Sequence, residues 1–214
     1  MWLCTHCRHL EISDEKPQRC AICGAGPDKF VEYTNSKIKG TKTVKNLQEG
    51  FVAESKANIR DLAFAFKAEQ EGFPAIAGLF RAVAESEAVH AFHHLRLLGV
   101  VADTQENLQA AFERENFARD AYPELIKDAS DEGNAAVATI FGYHRDVEKG
   151  HAKLYEKALD RMMDPAGVDY YVCSVCGYIH VGLAPDECPI CSAPQGQVPQ
   201  GRLTRVDCCQ AGGK

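Results

Sequence analysis

Four glutamates stand where an apolar helix stripe has no use for them. Between about residues 44 and 163, apolar side chains recur at alternating three- and four-residue steps, the period of amphipathic helices. Breaks at EGFP (71–74), LGVVADT (98–104) and SDEGN (130–134) divide this stretch into four helices, and DPAG (164–167) ends it. The first stripe runs Phe51, Glu54, Asn58, Leu62, and the second Val83, Glu87, His90, His94. The third runs Ala111, Glu115, Ala118, Tyr122, and the fourth His144, Glu148, His151, Tyr155. Residues three apart share a helix face, so His90 projects beside Glu87 and His151 beside Glu148. An unpaired carboxylate in an interior costs several kcal/mol or titrates until it is neutral. A fold that buries these stripes must therefore compensate four carboxylates at once.

A pair of metal ions would do so. One Glu-x-x-His pair is ordinarily a solvated surface feature. One glutamate from each of two helices, with Glu-x-x-His from each of the other two, is instead the donor set of dinuclear carboxylate bundles. Oxygen and imidazole donors suit iron or manganese and also accept zinc. The expected fold class is mainly α, a four-helix bundle over residues 43–163.

Cysteine spacing adds a second constraint. Eight of the ten cysteines form two quartets, Cys4, Cys7, Cys20, Cys23 and Cys173, Cys176, Cys188, Cys191. Each quartet is two C-x-x-C pairs around a short loop, the signature of a tetrahedral four-thiolate site. Knuckle modules are expected over 1–34 and 169–200, with a flexible tail at 201–214 that carries Cys208 and Cys209. Zinc or iron fits such sites. A one-electron carrier beside a dinuclear centre has a purpose only if that centre is redox-active, which favours iron in both places.

The bulk composition narrows the partners. At 214 residues, 45% hydrophobic and 25% charged, the chain has the balance of a soluble globular protein. A net charge of −6 without a basic stripe argues against nucleic acid. The apolar runs are too short to span a bilayer. The opening MWLCTHC enters a cysteine motif at once and shows no signal-peptide core, so a reducing cytoplasm is expected.

The segments FVAES, AESEAVHA, NLQAAFEREN…AYPEL, VEKGHAKLY and CSVCGYIH…CPIC together resemble the rubrerythrin family, non-haem di-iron peroxidases that join a ferritin-like bundle to a rubredoxin-like module. The resemblance covers about 160 residues. It implies Glu54 and Glu115 as terminal carboxylates, Glu87 and Glu148 as bridges, and His90 and His151 as nitrogen ligands, these six being the catalytic set. It further implies reduction of hydrogen peroxide to water, with electrons passing through thiolate-bound iron from a rubredoxin or an NAD(P)H-dependent reductase.

Three departures stand out. Rubrerythrins usually carry a second glutamate one turn along the third helix. Ala118 stands there, which brings the set closer to the six ligands of ferritin-like oxidases and makes an iron-oxidising function the alternative. Asp61 replaces a frequent tyrosine, whereas Tyr122 matches the family tyrosine before proline. The N-terminal module is additional, with rubredoxin-like or desulforedoxin-like spacing. Its C-x-x-C pairs are followed by Arg8 and Gly24, the C-terminal ones by Gly177 and Ser192. A zinc-knuckle interaction protein with a structural bundle is the non-catalytic alternative, disfavoured by the buried carboxylates. His94 and His144 are expected as hydrogen-bonded core histidines, and His93 at the surface.

The link between the second and third helices, about six residues from Gly99 to Thr104, reaches at most ~20 Å. A helix of about 25 residues is ~37 Å long. A ferritin-like bundle needs these two helices parallel. So short a link therefore predicts a domain-swapped homodimer in which two chains exchange helical hairpins.

Overall fold

The computed structural model describes residues 1–7, 9–11, 13–160, 169–182, 185–194 and 203–206, the last four as backbone. The chain forms two units, Met1–Val101 and Ala102–Lys214, each made of one helical hairpin and one cysteine module. The DPAG stop (164–167), Arg8, Cys208 and Cys209 lie outside the described residues.

The first unit begins with three short strands, β1 (Trp2–Cys4), β2 (Leu10–Glu11) and β3 (Phe30–Glu32), in the order β2-β1-β3. All pairings are antiparallel, with Trp2 opposite Glu11 and Cys4 opposite Phe30. Cys4, Cys20 and Phe30 form its small buried core. Helices α1 (Lys42–Gln70) and α2 (Pro74–Leu98) follow. Gly72 turns the chain at φ 82°, a left-handed value that glycine adopts without strain, and Pro74 opens α2 in its first turn. The two helices meet through small residues. Ala65, Ala68 and Ala77 form a buried cluster beside Phe80, which lets the backbones approach closely. Asn58 Nδ2 donates to the Ala84 carbonyl across the hairpin at 2.7 Å, and Tyr33 Oη donates to the Leu97 carbonyl in the last turn of α2 at 2.7 Å. The second of these bonds satisfies one of the carbonyls that a helix end leaves without a partner.

In the second unit, Asp103 caps α3 (Thr104–Asp131) by accepting from the Glu106 amide at 2.9 Å. Gly133, at φ 78°, leads into α4 (Ala135–Asp160). Strands β4 (Tyr170–Cys173), β5 (Ile179–Val181) and β6 (Leu203–Val206) form a second sheet in the order β5-β4-β6. β6 corrects the expected tail. Residues 203–206 pair along the whole of β4, Tyr170 opposite Val206 and Cys173 opposite Leu203, which covers an edge that would otherwise be open. The fold is mainly helical, with four long helices and a cysteine knuckle in each unit. No helix among the described residues is long and apolar enough to cross a membrane.

Candidate metal centres

Local backbone geometry builds each thiolate site. A C-x-x-C pair needs a tight turn so that both sulfurs point inward and amides can reach them. The Gly24 amide bonds the Cys20 carbonyl and the Gly177 amide bonds the Cys173 carbonyl, with the two glycines at φ 74° and 82°. Ser192 makes the same turn at φ 58°, a conformation that costs a non-glycine residue about 1–2 kcal/mol. The amides of Cys23 and Ile22 reach the Cys20 sulfur, and those of Cys176 and Val175 reach Cys173. Amide donors of this kind stabilise thiolates and tune a bound metal.

The sulfur spacings test the fit. Cys4 to Cys23 and Cys7 to Cys20 measure 3.8 and 3.5 Å, and Cys173 to Cys191 and Cys176 to Cys188 measure 3.7 and 3.6 Å. Four sulfurs each about 2.3 Å from a tetrahedral ion lie ~3.8 Å apart, whereas a disulfide would need about 2.05 Å. All eight cysteines are free thiols, so both modules fit one ion each. The quartets also mix strong and weak acids, as converging sulfurs must. The Cys23 amide outweighs burial and, with the Ile22 amide, brings Cys20 down to about 6. The His9 amide pulls the other way at Cys7, but burial and the neighbouring sulfurs raise that thiol to about 12.

Each helical hairpin carries a carboxylate–imidazole triad. In the first unit, α1 supplies Glu54, and α2 supplies Glu87 and His90; in the second, α3 supplies Glu115, and α4 supplies Glu148 and His151. Within each triad the ligand atoms lie within 4.8 Å of one another. His90 Nδ1 is 3.1 Å from Glu87 Oε2. His151 Nδ1 is 3.0 Å from Glu148 Oε2 and 3.7 Å from Glu115 Oε2.

In both triads the two carboxyls oppose each other's charge, one held above its ordinary value and its neighbour below. Its hydrogen bond with Glu87, then burial, raises Glu54, and the same bond together with His90 lowers Glu87. Burial first, then Glu115, raises Glu148. Glu115 resists its own burial and is lowered by bonds from Glu148 and Arg114. Two carboxyls that oppose each other's charge beside an imidazole form a site whose charge a cation can neutralise. His151 Nε2 is buried without a partner among the described residues, while Nδ1 faces the carboxylates. The donor set fits iron, with two oxygens and one nitrogen per hairpin.

The chain matches the rubrerythrin family model over residues 45–107 and 106–172, and the model of the rubrerythrin rubredoxin-like domain over 171–197. It is 35% identical to rubrerythrin-1 of Clostridium acetobutylicum over 182 residues, 74% of this chain and 93% of that protein. The chain belongs to the rubrerythrin family. Rubrerythrin of Porphyromonas gingivalis is 34% identical over 181 residues, 75% of this chain and 90% of that protein. A solved structure, the partially reduced state of nigerythrin, is 26% identical and covers 86% of this chain and 96% of its own, with a TM-score of 0.42. A rubrerythrin is a ferritin-like, iron-binding oxidoreductase with a di-iron carboxylate site and a peroxidase-type role. The N-terminal cysteine quartet, Cys4 to Cys23, lies before the matched segments.

Around the triads, Tyr122 packs against Phe141 at a tilt of 49° and meets His144 edge-on, with centroids 6.0 and 5.9 Å apart. Burial and the charge of Glu148 raise its phenol. His94 is not the hydrogen-bonded core histidine expected from its stripe. Its Nδ1 is buried without a partner among the described residues, and its ring lies so near α1 that a Cβ at Gly50 would stand 2.8 Å from Nε2. His93 is exposed, as expected. Arg114, whose Nη2 donates to Glu115 Oε1 at 2.8 Å, gave no signal in the sequence because a charged neighbour one residue away has no periodic mark. Asn58 did give one, as a polar side chain on an apolar stripe.

Proposed function

We propose that this rubrerythrin reduces hydrogen peroxide to water at a di-iron site built from Glu54, Glu87, His90, Glu115, Glu148 and His151. In this assignment Glu54 and Glu115 would hold the irons as terminal carboxylates, Glu87 and Glu148 as shared carboxylates, and His90 and His151 as nitrogen ligands. The observation that carries the proposal is the pair of matching triads, each converging two carboxyls and an imidazole within 4.8 Å, in a chain that also holds two tetrahedral thiolate clusters. The balance is one hydrogen peroxide, two electrons and two protons to two waters. Bound iron would supply the electrons for breaking the O–O bond.

The chain's own groups do the rest. A bound cation would relieve the mutual repulsion of the paired carboxylates. Tyr122 keeps its proton on Oη, where its raised pKa makes it a hydrogen-bond donor rather than an anion beside Glu148. The two cysteine modules would each hold a mononuclear iron, which would supply one-electron transfer from a rubredoxin or an NAD(P)H-dependent reductase in the cytoplasm. The iron-oxidising alternative draws on Ala118, which leaves the six-ligand set. The two functions separate in one assay. With iron-loaded protein and a reductase system, peroxide consumption tracks NAD(P)H oxidation and stops in Glu148→Ala. Turnover of ferrous iron and oxygen without any demand for a reductant would establish the iron-oxidising function instead.

The complete site is proposed to form between two chains. Gly99–Asp103, which links α2 to α3, spans at most ~18 Å, against ~42 Å for the 28 residues of α3. Each hairpin holds only half of the donor set, and its helix stripes leave Leu62, Ile76, Val83, Leu125 and Val137 exposed. Exchange of hairpins in a domain-swapped homodimer would cover these faces and join Glu54, Glu87 and His90 with the partner's Glu115, Glu148 and His151.

A further inference from the structure

Helix α4 presents two adjoining faces. His144, Glu148, His151 and Tyr155 form one stripe, and Tyr143, Val147, Gly150 and Leu154, also at three- and four-residue steps, form the next. The second stripe bears the C-terminal module. Val147, 3% exposed, is buried in one cluster with Cys173, Cys176 and Cys188, and Tyr143 and Tyr178 pack against that cluster. Gly150 lies under the Tyr178 ring, where an added Cβ would be 3.7 Å from Cε2. Leu154 shares a cavity of about 530 Å³ with His151 and with Tyr170, Val172 and Ile179 of the module. The thiolate cluster therefore rests on the helix that carries Glu148 and His151, and Val147 is the residue next to Glu148.

We propose that Val147 couples the C-terminal thiolate site to the carboxylate site through α4 of the same chain, and that Gly150 and Tyr178 form the seat that holds the module there. This rests on the assignment of both clusters as iron sites under Proposed function. The route crosses one valine side chain and one peptide, within the thickness of a single helix, about 10–12 Å. One electron leaves the ferrous ion held by Cys173, Cys176, Cys188 and Cys191, which becomes ferric. One ferric ion held by the carboxylates becomes ferrous. No bond forms or breaks, and the external one-electron donor restores the thiolate site. Val147 and Gly150 are positioning residues, since neither binds metal. Gly150 tolerates only a small side chain, because anything beyond a methyl group would push into the Tyr178 ring and lift the module.

Two measurements test this, neither of which uses peroxide. In zinc-loaded protein, the wild type shows nuclear Overhauser effects from the Val147 methyls to the β-protons of the C-terminal cysteines, and Gly150→Leu loses them while keeping its zinc. In iron-loaded protein carrying Cys7→Ser, which removes the N-terminal chromophore, a deazaflavin flash adds one electron to the oxidised chain. The ferric-thiolate band bleaches and then recovers as a mixed-valent di-iron EPR signal grows. Val147→Ala slows that recovery severalfold, and Gly150→Leu abolishes its fast phase. Missing Overhauser effects in the wild type, a band that stays bleached, or a wild-type recovery rate in Gly150→Leu would overturn the proposal. A chain that passes both measurements yet consumes no peroxide would retain the route and lose the proposed reaction.

Discussion

Among the described residues, Glu115 is the one charged side chain in the buried class, at 7% exposure, and its place on α3 has an energetic consequence. Its burial opposes the charge, and the carboxylate is held there only by bonds from Glu148 and from the largely solvated Arg114, neither of which an apolar side chain would need. Replacing Glu115 with leucine should therefore raise the thermal stability of the metal-free protein, by on the order of 1 kcal/mol, while its half of the iron site is lost. Calorimetry of the metal-free chain with metal analysis of the loaded one checks both, and a destabilised metal-free variant would mean that Glu115 is a structural ion-pair residue. Ser192 gives a second case. Its φ of 58° carries strain that glycine relieves, so Ser192→Gly should stabilise the zinc-loaded C-terminal module by about 0.5–1 kcal/mol, read from denaturant unfolding. The carboxylates, imidazoles and cysteines were legible as candidates because each breaks an expectation, a charge on an apolar stripe or a repeated C-x-x-C. Val147 and Gly150 were not, since an apolar residue and a glycine on a helix face break none.

At the scale of elements, the four helices could be read because their periodicity is long and their ends carry strong chemistry. Gly72, Gly99 and Gly133 all sit at positive φ just beyond a helix, and Asp103 caps α3. β6 escaped because four residues are too few to show an alternating pattern, and only its pairing with β4 makes it a strand. The α1–α2 seam depends on alanines too small to signal a core, and its tolerance follows from that. Ala77, fully buried between the helices, has no room for a larger side chain, so Ala77→Leu should cost about 1–3 kcal/mol by overpacking. Asn58→Ala loses one bond to a carbonyl within the α2 helix and should cost about 0.5–1.5 kcal/mol. Urea unfolding of the two variants checks the order. If Asn58→Ala proves the more damaging, the polar clamp rather than close packing sets the spacing of Glu54 and Glu87.

For the whole molecule, each unit has a cysteine quartet and one carboxylate–imidazole triad, and under the proposed function the activity depends on how hairpins combine. Glu87→Ala and Glu148→Ala chains are each expected to be inactive. Unfolded together and refolded, they should regain partial peroxide turnover, because a swapped heterodimer has one intact site and one doubly broken site. No recovery in verified heterodimers would mean that each chain completes its own site. The most direct test of the central claim is an anaerobic titration of the fully reduced, iron-loaded protein with hydrogen peroxide, followed in the ferric-thiolate band. With two irons in the carboxylate site and one in each module, the chain stores about four electrons and should consume about two equivalents of peroxide per chain, the band returning fully at that point. A carboxylate site that oxidises while the thiolate band stays bleached would contradict the account, because the thiolate irons would then not feed the site that splits the peroxide.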